Sequence, residues 1–247
     1  MLDILCSFFG LVVLSPLLIP VMLLIWRQDR HSPLYIAPRV GKDGKIFKMF
    51  KLRSMVADAD KTGVDSTSAG DLRITPIGHF VRKFKLDEFT QLWNVLKGDM
   101  SLVGPRPNVK RETDLYTNLE QGLLSVKPGI TDFSSIVFSD EGDILKHSKD
   151  PDIDYNQLIR PWKSRLGLLY VKHQSVLLDY FLVLLTVVAL FSREKALFRV
   201  SRLLKWLNAP ADVIRVSKRE DQLVPSPPPG ASSAVTSRSA EWSSQYF

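Results

Sequence analysis

The run from Ile4 to Trp26 limits what this chain can become more than any other feature. It carries no charge, and before it only Asp3 is ionisable. A helix needs about 20 apolar residues to cross a bilayer core, so the run is long enough. It fits a secretory signal poorly, because its start is acidic rather than basic and no small-residue cleavage site follows. The segment is therefore expected to be retained. Ser15-Pro16 lies at its centre and Pro20 follows. Proline lacks an amide donor and clashes with the preceding turn, and the residue before it is pushed away from helical angles. In lipid a freed carbonyl needs a partner, which a serine hydroxyl can supply locally. Two readings follow: a kinked spanning helix, or a helix–break–helix that enters and leaves on one face. Arg27, Arg30, Arg39, Lys42 and Lys45 come next. Positive flanks favour the cytoplasmic side, so either reading leaves the remaining chain in the cytoplasm.

The chain has 33 Lys+Arg against 26 Asp+Glu, a net charge of +7, and all of the basic surplus lies after Trp26. The composition excludes collagen-like, disulfide-scaffold and wholly disordered classes. A single cysteine, Cys6, allows no disulfide framework and no cysteine-based zinc site within one chain. Between Arg39 and Arg53 stand Arg39, Lys42, Lys45, Lys48, Lys51 and Arg53 against one acid, Asp43. Such a patch is either a solvated or headgroup-facing surface or a phosphate site. Asp43-Gly44 is a turn signal, and Ile46 to Arg53 reads as a strand. Ala57 to Gly70 is polar and reads as a loop or short helix end. Phe80, Phe84, Phe89, Leu92 and Trp93 recur near helical spacing, which predicts a helix over Ile77 to Asn94 stopped by Gly98. Pro105 and Pro107 then hold Arg106 between them in a rigid turn, presenting its guanidinium fork.

The sharpest block is Leu86-Asp87-Glu88-Phe89, then Gln91-Leu92-Trp93-Asn94-Val95-Leu96-Lys97-Gly98-Asp99-Met100-Ser101-Leu102-Val103-Gly104-Pro105-Arg106-Pro107. With Phe47-Lys48, Lys51, Arg53, Lys127-Pro128-Gly129-Ile130-Thr131, Tyr170-Val171-Lys172 and Leu178-Asp179, it closely resembles the monotopic phosphoglycosyl transferases, the bacterial sugar transferases. The resemblance covers roughly residues 1–190. It implies an enzyme that moves a sugar-1-phosphate from a UDP-sugar to polyprenol phosphate and releases UMP. By the family's pattern Asp87 is the nucleophile, which forms a phosphosugar–aspartyl intermediate, and Glu88 holds Mg²⁺. One or two carboxylates plus substrate phosphates are a sufficient Mg²⁺ site, and a carboxylate is a competent nucleophile. Lys51, Arg53, Arg82, Arg39 and the Pro105-Arg106-Pro107 turn are the implied substrate-binding positions. If Arg82 and Asp87 share one helix, they stand about a turn and a half apart. The alternative for Arg53 and Arg39 is a surface or headgroup contact. The resemblance also favours the re-entrant reading, with the membrane break at Ser15-Pro16.

The fold class implied is α+β: a small mixed α/β catalytic domain with an N-terminal re-entrant membrane helix and C-terminal interfacial amphipathic helices. The segments are 1–26 (membrane dip), 27–192 (catalytic domain), 193–224 (basic amphipathic helix and extension) and 225–247 (Pro/Ser-rich tail, disordered by composition). Gln174 to Ser192 reads as a helix on the membrane or on the core. Arg193 to Asn208 alternates Ala196, Leu197, Val200, Leu203, Leu204 and Leu207 with basic faces, which suits either an interface or a protein surface. The chain departs from the family at its acidic start, in the stretch from Asp132 to Gly142 where a family arginine is missing, and at Gly167. The stretch from Asp132 is expected to meet sugar or nucleotide. The implied partners are UDP-sugar, polyprenol phosphate, membrane lipid and downstream glycosyltransferases. The implied place is the cytoplasmic face of the bacterial inner membrane, and nucleic acid is not needed to explain the charge. Two rivals stand beside this reading. One is a glycosyltransferase that moves the sugar alone and releases UDP, with Asp58-Ala59-Asp60, Asp150-Pro151-Asp152 or Asp152-Ile153-Asp154 as its metal motif. The other is a non-catalytic membrane adaptor of the same fold. No P-loop pattern is present, and His31, His79, His147 and His173 are scattered singly.

Overall fold

A computed structural model describes residues 2–59, 67 and 70–236. The apolar run folds as one helix, α1 (Leu2–Asp29), with Pro16 and Pro20 inside it. The expected break at Ser15-Pro16 is therefore not an interruption of the helix. Ser15 Oγ donates to the Val12 carbonyl at 2.8 Å, a local bond of the kind that lets a helix carry a proline. Leu18, Val21 and Ile25 are buried against Leu52, Val81 and Leu86, while Phe9, Val13 and Ile19 face outward. Both ends of α1 are tied to the body of the protein. Ser101 Oγ donates to Asp3 at 2.7 Å, and Arg53 grips Asp29 at the other end.

After α1 come β1 (Leu34–Val40) and β2 (Ile46–Leu52), an antiparallel pair in register from Leu34↔Leu52 to Val40↔Ile46. The turn between them has positive φ at both Asp43 and Gly44, as the Asp-Gly signal predicts. The helix expected over Ile77 to Asn94 is instead three short ones: α2 (Pro76–Lys83), α3 (Leu86–Phe89) and α4 (Leu92–Lys97). Lys85 breaks the run by adopting left-handed angles, φ 55°, a conformation that costs a non-glycine residue about 1 kcal/mol. Gly98 ends α4 at φ 82°, in the role expected of it.

The chain next forms β3 (Ser101–Val103), α5 (Lys110–Thr113) and β4 (Gly129–Thr131), with β3 and β4 parallel. A Cβ on Gly129 would lie 2.0 Å from the Gly104 nitrogen, so only glycine permits this approach. There follow α6 (Phe133–Val137), α7 (Glu141–Ile144), α8 (Pro151–Asp154), α9 (Arg160–His173), α10 (Val176–Phe191), α11 (Arg193–Trp206) and α12 (Ala211–Lys218). The largest core joins Phe133 and Ile136 of α6, Leu166 of α9, Leu182 of α10 and Val200 and Leu204 of α11. The apolar stripe of α11 is thus spent on protein packing, and only Phe198 and Trp206 are left exposed among its large apolar residues. Helix α10 turns Leu178, Leu182 and Leu185 inward and Val176, Leu177, Tyr180 and Phe191 outward.

Composition predicts disorder from residue 225, but the described part of that tail is bound. The Ser226 amide donates to the Gln157 carbonyl at 3.0 Å, and Arg165 donates to the Pro227 carbonyl at 3.0 Å. Gln157 Nε2 donates to the Val235 carbonyl at 2.6 Å, and Val235 is buried. The chain supplies its own template here, so few apolar residues suffice. Residues 237–247 lie outside the described residues.

Candidate active site

The left-handed turn at Lys85 swings α3 out of line with α2 and puts Asp87 and Glu88 at a corner beside β2. Thr90 Oγ1 pins that corner to the Asp87 carbonyl at 3.1 Å and to the Phe50 carbonyl at 3.2 Å. Asn94 completes the attachment of the helices to the strand: it accepts from the Phe50 amide at 2.9 Å and donates to the Lys48 carbonyl at 2.7 Å. The long Leu86–Pro107 motif is therefore partly scaffold.

Two cation–carboxylate pairs result. Lys51 Nζ stands 3.7 Å from Asp87 Oδ2. Arg106 Nη1 donates to Glu88 Oε1 at 3.0 Å. Lys51 points from β2 and Arg106 from the rigid turn after β3, so the dyad is bracketed from two elements. Burial, and then the charge of Arg106, push the Lys51 ammonium down to about 8, against the opposing pull of Asp87 and Glu88. Burial alone would raise Glu88, but Arg106, Lys85 and Lys51 outweigh it and hold its carboxyl below the usual range. Glu88 in turn holds Arg106 firmly protonated. Burial lowers Arg82 while Asp87 and Asp71 pull it back up, which places Arg82 among the charges around Asp87. Its approach owes to the turn at Lys85 and not to a shared helix.

Two of the expected substrate-binding residues sit differently. Arg53 is buried, with its guanidinium committed to Asp29 (Nη2 to Oδ1, 2.6 Å) and to the Ser32 carbonyl at 2.7 Å. It anchors the end of α1 and has no fork left for a phosphate. Arg39, opposite Phe47 in the β1–β2 register, donates to the Pro38 carbonyl at 3.0 Å. It lies near enough to Lys51 to help lower it. Pro105, Arg106 and Pro107 line a cleft with Val40, Gly41 and Tyr116. Arg106 also lines a second cleft, with Asp132, Ser134 and Lys163. Ser15 and Pro16 are within α1.

Sequence reasoning missed a pair whose lysine lines that second cleft. Lys163 of α9 donates to Glu141 of α7. Burial would raise Glu141, but Lys163 and then Arg106 and Lys85 hold it low. The two residues are 22 positions apart, so no local spacing announces them. In the stretch from Asp132, expected to meet sugar or nucleotide, Asp132 and Ser134 line that cleft but are themselves almost fully buried. Asp132 itself is buried, capping α6 by accepting from the Ser135 amide at 2.7 Å. Of the candidate Asp-x-Asp motifs, Asp60 lies outside the described residues, and Asp150 caps α8 through the Ile153 amide. Among the described residues no group of three or more His, Cys, Asp or Glu side chains is gathered as a metal cage. The dyad still fits a magnesium site of the open kind, because one carboxylate with incoming phosphate oxygens is enough.

The chain belongs to the bacterial sugar transferase family, whose model matches residues 1–193. Among curated proteins it is similar to the UDP-N-acetylgalactosamine-undecaprenyl-phosphate N-acetylgalactosaminephosphotransferase of Aeromonas hydrophila, 31% identical over 75% of this chain and 41% of that protein. It is 33% identical to the UDP-glucose:undecaprenyl-phosphate glucose-1-phosphate transferase of Klebsiella pneumoniae, over 78% of this chain and 40% of that one. It is 41% identical to the undecaprenyl-phosphate galactose phosphotransferase of Salmonella typhimurium, over 52% of this chain and 30% of that one. The chain thus spans less than half the length of these relatives.

Proposed function

We propose that this chain transfers a sugar-1-phosphate from a UDP-sugar to polyprenol phosphate through a covalent intermediate on Asp87. The observation that carries the reading is the bracketing of the Asp87–Glu88 dyad by Lys51 and Arg106 at a rigid corner. An Asp87 carboxylate oxygen attacks the β-phosphorus of the donor. The bond from that phosphorus to the bridging oxygen breaks, and UMP leaves with the electron pair. An oxygen of polyprenol phosphate then attacks the same phosphorus, giving polyprenol-diphosphate sugar and freeing the Asp87 carboxylate. Lys51, Arg82 and Arg106 offset the negative charge gathered between nucleophile and diphosphate, fixed in place before reaction. Glu88 is the residue that would hold Mg²⁺, and such an ion supplies further charge neutralisation on the diphosphate. The product would feed downstream glycosyltransferases that extend the lipid-linked sugar into a polysaccharide, O-antigen or glycoprotein glycan.

The same reading places the domain on the cytoplasmic face of a bacterial inner membrane. Docking of both ends of α1 on one domain supports a dip into the near leaflet, since a spanning helix would carry Asp3 away from Ser101. The outward residues of α1 and α10 would then meet lipid. The test is product analysis with candidate UDP-sugars and a polyprenol phosphate in detergent. UMP release is expected. UDP release would replace this reaction by simple glycosyl transfer, and no turnover with any donor would favour an adaptor.

A further inference from the structure

The family match stops at residue 193, but the chain beyond it returns to Asp140, next to Glu141. Arg193 Nη2 stands 2.8 Å from Asp140 Oδ1 and donates to the Val137 carbonyl at 3.2 Å. Arg219, at the end of α12, donates to Asp140 Oδ2 at 3.3 Å, with its guanidinium 5.4 Å from the Phe138 ring centroid. Arg219 is nine-tenths buried on its side chain, so this pair is worth more than an exposed one. Asp140 directly precedes Glu141, the first residue of α7. That helix has four residues and no side-chain cap, too short to hold itself in place. What fixes Glu141 is therefore the grip on Asp140 from behind and the bond to Lys163 in front. Lys163 and Arg106 line one cleft.

We propose that Arg219 is a positioning residue for donor binding: acting through Asp140, it holds the Glu141–Lys163 pair close to Arg106, so the segment beyond the family-matching region supports the donor site. The inference rests on the reaction proposed above, with Arg106 meeting the diphosphate of the UDP-sugar. The electrostatics agree, since Glu141 and Arg106 each shift the other's protonation toward the charged form.

The test compares the full chain with Arg219→Ala, Arg219→Lys, Glu141→Gln and the Arg219→Ala/Glu141→Gln double variant. Readouts are KM and kcat for UMP release, UDP affinity by calorimetry, and melting temperature. Arg219→Ala should raise KM and the UDP Kd about tenfold, the scale of losing one charged hydrogen bond, with kcat within about twofold. Arg219→Lys should recover most of the loss. The double variant should bind no worse than Glu141→Gln alone, because the two act on one element. Unchanged KM and Kd in Arg219→Ala overturn the inference, as do effects of the two substitutions that simply multiply. Where Arg219→Ala does not fold, Asp140→Asn breaks the same link and carries the same expectations. A wild-type chain that binds UDP but releases no UMP overturns the reaction and leaves the Arg219 comparison to be read on UDP affinity.

Discussion

Lys51 makes the site sensitive to alkaline pH. Its ammonium is pushed from 10.5 to about 8 by burial and by Arg106. A lowered lysine is charged below that value and neutral above it. At pH 7 about nine-tenths of free enzyme carries the charge beside Asp87, and at pH 9 about one-tenth. If the charge is needed to receive the diphosphate, kcat/KM should fall about tenfold per pH unit above roughly 8, because that parameter reports ionisations of the free enzyme. A lysine at its ordinary value would lose only a few per cent at pH 9. The assay is UMP release at sub-saturating UDP-sugar from pH 6 to 10. Lys51→Arg keeps a cation that does not titrate in this range. Its absolute rate will be lower, since a planar fork replaces a point charge, but its alkaline limb should vanish. The shape of the profile is the result, not its height. A wild-type profile flat through pH 9 would refute the reasoning. So would an alkaline limb that persists in Lys51→Arg, which would belong to the substrate or another group.

Substitutions at three further positions separate scaffold from chemistry. Arg53→Ala unpairs Asp29 and should cost about 2 kcal/mol of stability, seen as a lowered melting temperature, while KM for the UDP-sugar stays put; a raised KM without destabilisation would restore Arg53 to the substrate site. Gly129→Ala forces a Cβ to 2.0 Å from the Gly104 nitrogen, so the β3–β4 pairing should open and the protein lose about 3 kcal/mol or more, measured by chemical denaturation. Arg106→Ala frees Glu88 and removes a preorganised cation, so kcat should drop about 10²-fold in the UMP assay; Arg106→Lys should recover only part of it, because one ammonium cannot reproduce the fork.

The local punctuation of the fold is written plainly in the sequence. Asp43-Gly44 makes its turn, Gly98 ends its helix, and Pro105-Arg106-Pro107 holds its cation. The dyad and its two bracketing cations were legible through the family resemblance of the Leu86–Pro107 block and of the basic strand. The spacing over Ile77 to Asn94 predicts one helix, but Lys85 breaks it by a left-handed angle that this residue type does not advertise; glycine would have. Arg53 looked like a phosphate ligand because its charge is visible, whereas its partner Asp29 is 24 residues earlier. The bound tail and the Glu141–Lys163 pair escaped for the same reason: both are long-range contacts, which periodicity and composition do not encode. Amphipathic α11 showed its stripe but not its partner, which proved to be the core.

The central claim is that Asp87 takes the phosphosugar. Incubating the detergent-solubilised chain with a UDP-sugar and Mg²⁺, without lipid acceptor, and reading the intact mass tests it directly. The account predicts one added sugar-phosphate per chain, lost on adding polyprenol phosphate and absent in Asp87→Asn. Stoichiometric UMP release with no adduct on the chain, or an adduct that survives Asp87→Asn, would contradict it.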